Sequence, residues 1–316
     1  MYMYLYKKND FDLEWPCMLT KFLNPKNDIA FKKIFGTKQN QDILIHFLND
    51  MLVFKCGKPI TSVTFLKTIQ DPEIASQKTS IVDIMCADEV GNKYIVEMQV
   101  AEGADFVKRA QYYAAKAYSS QLQVRGKYHN LKEIIFLAIA NFVMFPNKKH
   151  FKSDHVILDK HTNEHDLKDF SFTFLELAKF NKTKKALSNI IDKWCYFFKH
   201  AAETSKQDLK EIIGNDSIIQ RAYEELDKFS WSEDELLAYE AVVKRDRDYN
   251  SIMDKSINDA IAKGEAIGIA KGEAKGEAKK AINIAIQMLK SSILIKDISK
   301  FTGLSVAKIE ELQETL

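Results

Sequence analysis

In the stretch from Thr79 to Phe106, Asp83 precedes Glu97-Met98-Gln99 within segments that are otherwise rich in Ile, Val, Met and Cys. A strand projects alternate side chains to opposite faces, so Glu97 and Gln99 share one face of theirs. In an antiparallel hairpin, facing positions have numbers that add to a constant, and an even constant puts Asp83 on that same face. A three-residue loop, Val90 to Asn92, makes the constant 182 and sets Asp83 opposite Gln99, whereas a five-residue loop makes it 180 and sets Asp83 opposite Glu97. Either register gathers two carboxylates and an amide. Carboxylates held that close repel each other unless a cation neutralises them. Hard oxygen donors from Asp83, Glu97, the Met98 backbone carbonyl and water suit Mg²⁺ or Mn²⁺. Such an ion lowers the pKa of a bound water and stabilises charge developing on phosphorus, which are the demands of phosphodiester hydrolysis.

The elements that position these residues follow from periodicity. A first helix starts at Asn27 or Asp28, carries Phe31, Ile34 and Phe35 on one face and stops at Gly36; a second carries Ile43, Leu44, Phe47, Leu48 and Leu52. Ile60–Lys67, Thr79–Ala87 and Lys93–Val100 read as a three-strand meander. A helix over Asp105–Gln123, with Phe106, Ala110, Tyr113 and Ala117 as its stripe, leads to Glu133–Ala140, whose two-sided hydrophobicity suits a strand in mid-sheet. Val156–Leu158 and Phe170–Leu177 are further strand candidates, which makes the order α-α-β-β-β-α-β-β-β. After Lys182 the chain reads helical, with helices expected over Ala186–His200, Ser217–Phe229 and Glu233–Asp248. Then Gly-Glu-Ala recurs from Gly264, Gly272 and Gly276, which on a helix keeps Lys271, Lys275 and Lys279 nearly on one side and its small residues on another. Helices over Ile282–Leu289 and Ile295–Phe301, a Thr302-Gly303 turn and a last helix from Ser305 close the chain.

Composition bounds the class. With 46% hydrophobic and 28% charged residues the chain is globular rather than disordered, and a formal charge of only +2 leaves nucleic-acid binding to a local patch. Cys17, Cys56, Cys86 and Cys195 are too scattered for a zinc knuckle or a disulfide framework, which favours a reducing, cytoplasmic home. The longest apolar stretch, Ile134–Phe145, is interrupted by Asn141 and falls short of the ~20 residues that span a bilayer, so no membrane is expected.

Around the carboxylates stand three further phrases: NPKNDIAFKKIFG at residues 24–36, RAQYYAAKAYSSQLQVRGKY at 109–128 and KGEAKGEAKK in the tail. With Asp83…Glu97-Met98-Gln99 they resemble the Rpn family of recombination-promoting nucleases, within the PD-(D/E)XK nuclease superfamily. The resemblance covers residues 22–180 closely and the tail in style. It implies an α/β, restriction-endonuclease-like mixed sheet flanked by helices over 22–182, and the helical texture after Lys182 makes 183–316 an all-helical C-terminal extension. It also implies divalent-metal-dependent DNA cleavage in DNA recombination, transposition-like exchange or defence, with Asp83 and Glu97 on the metal. Gln99 then stands where many relatives have lysine, and Val82 stands before Asp83 where the motif has proline. A neutral amide can orient water or phosphate only by hydrogen bonds. The alternative is therefore a catalytically weak or inactive DNA-binding or assembly protein that keeps the nuclease core as scaffold.

Other residues carry less specific signals. Asp28 is an N-cap by default and, through the resemblance, a minor candidate for the metal site. Arg109 and Gln111 lie on the helix after the Glu97 strand, where a polar face can meet DNA, while Tyr113 belongs to the apolar stripe. Lys148 and Lys149 can approach phosphates. His161 and His165 lack a set of metal-binding partners and read as solvated loop. The closing helices end in Glu310, Glu311 and Glu314, which suits oligomerisation better than DNA, so a homo-oligomer through the helical C-terminal region is expected.

Overall fold

The Asn27 side chain accepts hydrogen bonds from the amides of Ile29 and Ala30, and this cap starts helix α1 at Asp28. In the computed structural model α1 (Asp28–Phe35) ends at Gly36 and buries Ala30, Phe31, Ile34 and Phe35. Helix α2 (Gln41–Met51) buries Ile43, Leu44, Phe47, Leu48 and Met51, an apolar face at helical spacing. The structure describes residues 21–52, 58–70, 80–101, 103, 105–122, 126–214 and 216–316. Cys17, Cys56, Thr79 and Gln123 lie outside them.

Six strands form one mixed sheet in the order β1-β4-β5-β6-β8-β7: β1 (Val63–Phe65), β4 (Ile84–Asp88), β5 (Lys93–Gln99), β6 (Ile134–Ala140), β8 (Phe170–Glu176) and β7 (Lys152–Val156). A separate two-stranded ribbon pairs β2 (Ile69–Gln70) with β3 (Ser80–Ile81). The β4–β5 hairpin pairs positions that add to 180, as Ile84 with Val96 and Ala87 with Lys93. Of the two registers the sequence allows, this is the one with the longer loop; within it the Asp88 carboxylate accepts from the amides of Val90 and Asn92. Helix α3 (Phe106–Ser119) carries the chain from β5 to its parallel neighbour β6, which is buried along its whole length between β5 and β8.

The two faces of the sheet pack differently. Tyr94, Val96, Met98, Ile135, Leu137, Ile139 and Leu175 meet α1, α2, α4 (Ile190–His200) and α6 (Ser217–Glu224), while Met85, Ile95, Phe136, Ala138 and Phe174 meet the Ala110, Ala114 and Ala117 face of α3. On the first face Phe35, Phe47, Trp194 and Phe198 interlock with ring centroids 5.0 to 6.4 Å apart. Truncating one such buried ring to alanine costs about 3–5 kcal/mol. The change of texture after Lys182 therefore marks a change from sheet to helix, while packing continues across it.

Several elements differ from expectation. The β-rich run after residue 79 is two strands, because the chain bends at Asp83: the Val82 amide pairs with the Thr68 carbonyl, and β4 begins only at Ile84. Strand β7 covers Lys152–Val156 rather than Val156–Leu158. Its polar residues suit an edge strand, and Val156, Ile157 and Leu158 are exposed. Helix α4 starts at Ile190, since Asn189 caps it, and α5 (Lys206–Ile213), capped by Ser205, has too little apolar stripe to stand out in the sequence. The cysteines among the described residues, Cys86 and Cys195, are free and buried, and burial pushes both thiols up to about 12.

The chain divides into two compact units, one up to Val243 and one from Lys244 to Leu316. Helix α7 runs unbroken over Glu233–Lys290, 58 residues, through all the Gly-Glu-Ala repeats. In the first unit its opening turns hold α1 in place: Lys33 pairs with Glu235 and lies over the Trp231 ring, and the Asn24 amide donates to the Tyr239 hydroxyl at 3.0 Å. In the second unit Ala285, Ile298 and Ile309 form a small core between the end of α7, α8 (Ile295–Thr302) and α9 (Val306–Glu314). The turn before α9 uses Gly303 at φ 71°, a left-handed position that suits glycine.

Candidate active site

Asp83 stands just before β4 beside the end of β5 that carries Glu97, and each carboxylate accepts from a backbone amide of the opposite segment. Met98 N–H donates to Asp83 Oδ2 at 2.9 Å, and Asp83 N–H donates to Glu97 Oε1 at 3.3 Å. The pleat alone does not place Asp83. Val82 and Met85 both pack on the α3 side, so alternation is broken at the bend between them, and the Asp83 side chain takes up the Met98 amide beyond the end of β4. An extended residue points its N–H and C=O to the same edge, so the Met98 carbonyl also faces the Asp83 side of β5.

Burial makes this pair expensive to ionise. Glu97 is 6% exposed, and its carboxyl is pushed up to about 8, first by burial and then by Asp83. Asp83 is also raised, first by burial and further by Asp28; the Met98 amide and Lys32 act in the opposite direction. Lys32 comes from α1, one turn after Asp28. Its ammonium lies 3.1 Å from Asp28 Oδ1 and 3.7 Å from Asp83 Oδ1.

Gln99 is engaged at both ends of its amide. Its Oε1 accepts from the Arg109 guanidinium, and its Nε2 donates to the Ala101 carbonyl at 2.9 Å. Arg109 stacks on the Phe106 ring at 5.0 Å and its charge favours ionised Glu97, while its Nε is buried without a hydrogen-bond partner. The structure thus brings together Asp83, Glu97, Met98, Gln99, Arg109 and, across Lys32, Asp28. Gln111 instead turns its amide back to the Val107 carbonyl at 3.2 Å. Lys148 lies over the Phe145 ring with its ammonium 3.4 Å from His155, and Lys149 is exposed. Lys32 is the site residue that sequence reasoning missed, although the Asp28…Lys32 spacing of four on a helix was a signal for an ion pair.

The donors are all oxygen: two carboxylates and a strand carbonyl. Among the described residues no group of three or more His, Cys, Asp and Glu side chains could hold a metal ion, so carbonyl and water would complete any shell here. That donor chemistry fits a hard divalent cation, which would relieve the repulsion that raises Glu97.

The family model for PD-(D/E)XK nuclease family transposase matches residues 25–256, a span that holds both carboxylates and every strand of the six-stranded sheet. The chain belongs to that family. The PD-(D/E)XK nuclease family resemblance carried by Asp83, Glu97 and the flanking phrases is thereby shown, and the mixed sheet flanked by helices is an α/β, restriction-endonuclease-like fold. No curated protein and no solved structure matches the chain. Among the described residues no helix is long and apolar enough to cross a membrane.

Proposed function

We propose that this PD-(D/E)XK family chain is a divalent-metal-dependent DNA endonuclease that hydrolyses phosphodiester bonds. The observation that carries the reading is that each carboxylate accepts from a backbone amide across the end of the β4–β5 hairpin, Asp83 from Met98 and Glu97 from Asp83. Asp83, Glu97 and the Met98 carbonyl would hold Mg²⁺ or Mn²⁺. When bound, the ion supplies an activated water and charge stabilisation at phosphorus. The protein's own part is orientation and electrostatics. The Met98 amide fixes one Asp83 oxygen, Oδ2, and the other, Oδ1, faces the Lys32 ammonium. Gln99 holds Arg109 against the carboxylate site, where its charge favours ionised Glu97.

A role in DNA recombination, transposition-like exchange or defence, in a reducing cytoplasm, agrees with the family and with the buried free thiols of Cys86 and Cys195. Assembly of copies through the helical C-terminal region is supported by the exposed small-residue run of α7. Glycines 264, 268, 272 and 276 fall four apart, and a Cβ placed on any of them meets open space. One observation favours the second reading, an inactive DNA-binding scaffold: both ends of the Gln99 amide already have protein partners, which leaves its remaining Nε2 hydrogen as the donor for water or phosphate.

Nicking of supercoiled plasmid in Mg²⁺, Mn²⁺ or EDTA separates the two. The nuclease reading expects metal-dependent nicking that disappears in both Asp83→Ala and Glu97→Ala. Equal activity in all three proteins would assign the nicking to a contaminant and remove the reading.

A further inference from the structure

The geometry points to Lys32 on α1 as the residue that presents positive charge to the DNA phosphate at the Asp83–Glu97 site, the part that Gln99 cannot play. This rests on the nuclease reading above and adds to it a residue from a different element.

The argument begins with what Gln99 is doing. It is neutral, and its two hydrogen-bonding ends are taken by Arg109 and by the Ala101 carbonyl. An anionic, transferring phosphoryl group needs a cation nearby. Two side chains bring one. The Arg109 guanidinium donates to Gln99 and stacks on Phe106, which makes it a positioned neighbour of Glu97 rather than a free group. Lys32 is different. Its ammonium lies 3.7 Å from Asp83 Oδ1, the oxygen not used by the Met98 amide, and its side chain is 41% exposed against 18% for Asp83. It therefore stands beside the carboxylate with much of its side chain open to solvent, which lets it meet a phosphate without leaving the site.

The placement of Lys32 is built into the fold. Helix α1 buries Phe31, Ile34 and Phe35 in the core, and its start is fixed by the Asn27 cap. Residues on a helix turn about 100° per position, so Lys32 and Lys33 diverge: Lys33 pairs with Glu235, and Lys32 turns to the site. Asp28, one turn earlier, holds the Lys32 ammonium at 3.1 and 3.2 Å through its two oxygens. Asp28 is thus a positioning residue that keeps the charge beside Asp83.

The test uses the full chain and two readouts. The first is plasmid nicking in Mg²⁺, with Lys32→Ala, Lys32→Arg and Asp83→Ala beside the native protein. The second is binding of a fluorescent duplex in EDTA over a series of KCl concentrations, which needs no turnover. Lys32→Ala is expected to lower kcat by about 10²–10³-fold, as for loss of one group that stabilises transition-state charge, with Lys32→Arg restoring most of it. Its slope of log K against log salt should also be shallower by about 0.9, the loss of one phosphate contact. If Lys32→Ala folds poorly, Lys32→Gln, which keeps the stem, replaces it. Cleavage within threefold of native, with Asp83→Ala inactive, would overturn the role of Lys32 and leave the nuclease reading intact. Should the native protein show no metal-dependent nicking, the nuclease reading fails and the salt slope decides for Lys32: an unchanged slope overturns the phosphate contact.

Discussion

The Met98 amide donates to Asp83 Oδ2 at 2.9 Å, which joins the backbone of one strand to an acidic side chain that stands just outside the next. Through this bond the carboxylate site is tied to the centre of the sheet, since Met98 is paired on its other side with Ile139 of the wholly buried β6. Rigid support of this kind holds a pair of like charges together that would otherwise separate.

Removing one of those charges should stabilise the metal-free protein. Glu97→Gln keeps the acceptor for the Asp83 amide and deletes a buried carboxylate that burial and Asp83 oppose. In EDTA at pH 8 its melting temperature should exceed that of the native chain. In Mg²⁺ the order should reverse, because a ligand that binds only the folded state raises its stability by mass action. Thermal unfolding of both proteins with and without the ion checks this, and a native melting temperature indifferent to Mg²⁺ would speak against the ligand set.

Gln99→Lys should lower activity rather than raise it. The new ammonium would sit where the Arg109 guanidinium now finds an acceptor, and two cations would repel. Plasmid nicking by Gln99→Lys is expected to fall at least tenfold, with Gln99→Glu, which preserves the acceptor, losing less. A rise in cleavage would show that Arg109 does not need this partner.

Acid sensitivity should trace in part to Asp192. Burial alone would raise its carboxyl, but Lys182 at 2.7 Å and the Ser188 amide and hydroxyl at 2.9 Å hold it below the usual range. A lowered carboxyl contributes stability above its unfolded value of about 3.9, and loses it as pH falls through that window. Lys182 is partly exposed, so solvent screens the pair. Asp192→Ala should cost about 2 kcal/mol at pH 7, and the difference from native should shrink below about pH 4 in urea unfolding.

The glycines of α7 make a further prediction. Each costs a helix roughly 1 kcal/mol relative to alanine. The pair Gly268→Ala and Gly272→Ala should therefore make the helix more resistant to unfolding by circular dichroism. If these positions admit a second copy of the chain at close range, the same change should shift the species in light scattering toward the monomer. Unchanged light scattering would separate the glycines from assembly.

The shared face of Glu97 and Gln99 was legible from the two-residue period of β5, and the core of α1 and α2 from their helical stripes. The register of the hairpin was narrowed to two, because loop length is a matter of turn geometry that Val90-Gly91-Asn92 leaves open. The bend at Asp83 was not legible. It arises because Val82 pairs with Thr68 across the small ribbon, a contact between distant segments. Lys32 escaped for the same reason: its ion pair with Asp28 is local, but its approach to Asp83 depends on how α1 packs. The apolar Val156-Ile157-Leu158 carries the stronger strand signal, but the edge strand β7 is the polar Lys152–Val156, because one side of an edge faces water. The unbroken course of α7 agrees with the predominance of alanine, lysine and glutamate, strong helix formers, around its glycines, with Ile267 and Ile269 also among them.

The Trp194 indole donates to Asp50 at 2.8 Å and its ring lies 5.1 Å from Phe47, so residues after Lys182 roof the first two helices. A fragment trimmed at that point would strip the covering from Phe31, Phe35 and Phe47, loosening the very scaffold that delivers Asp28 and Lys32. Shortened versions meant for crystallisation or assay should extend past Trp231 into the opening turns of α7, where Glu235 and Tyr239 fasten α1 from outside.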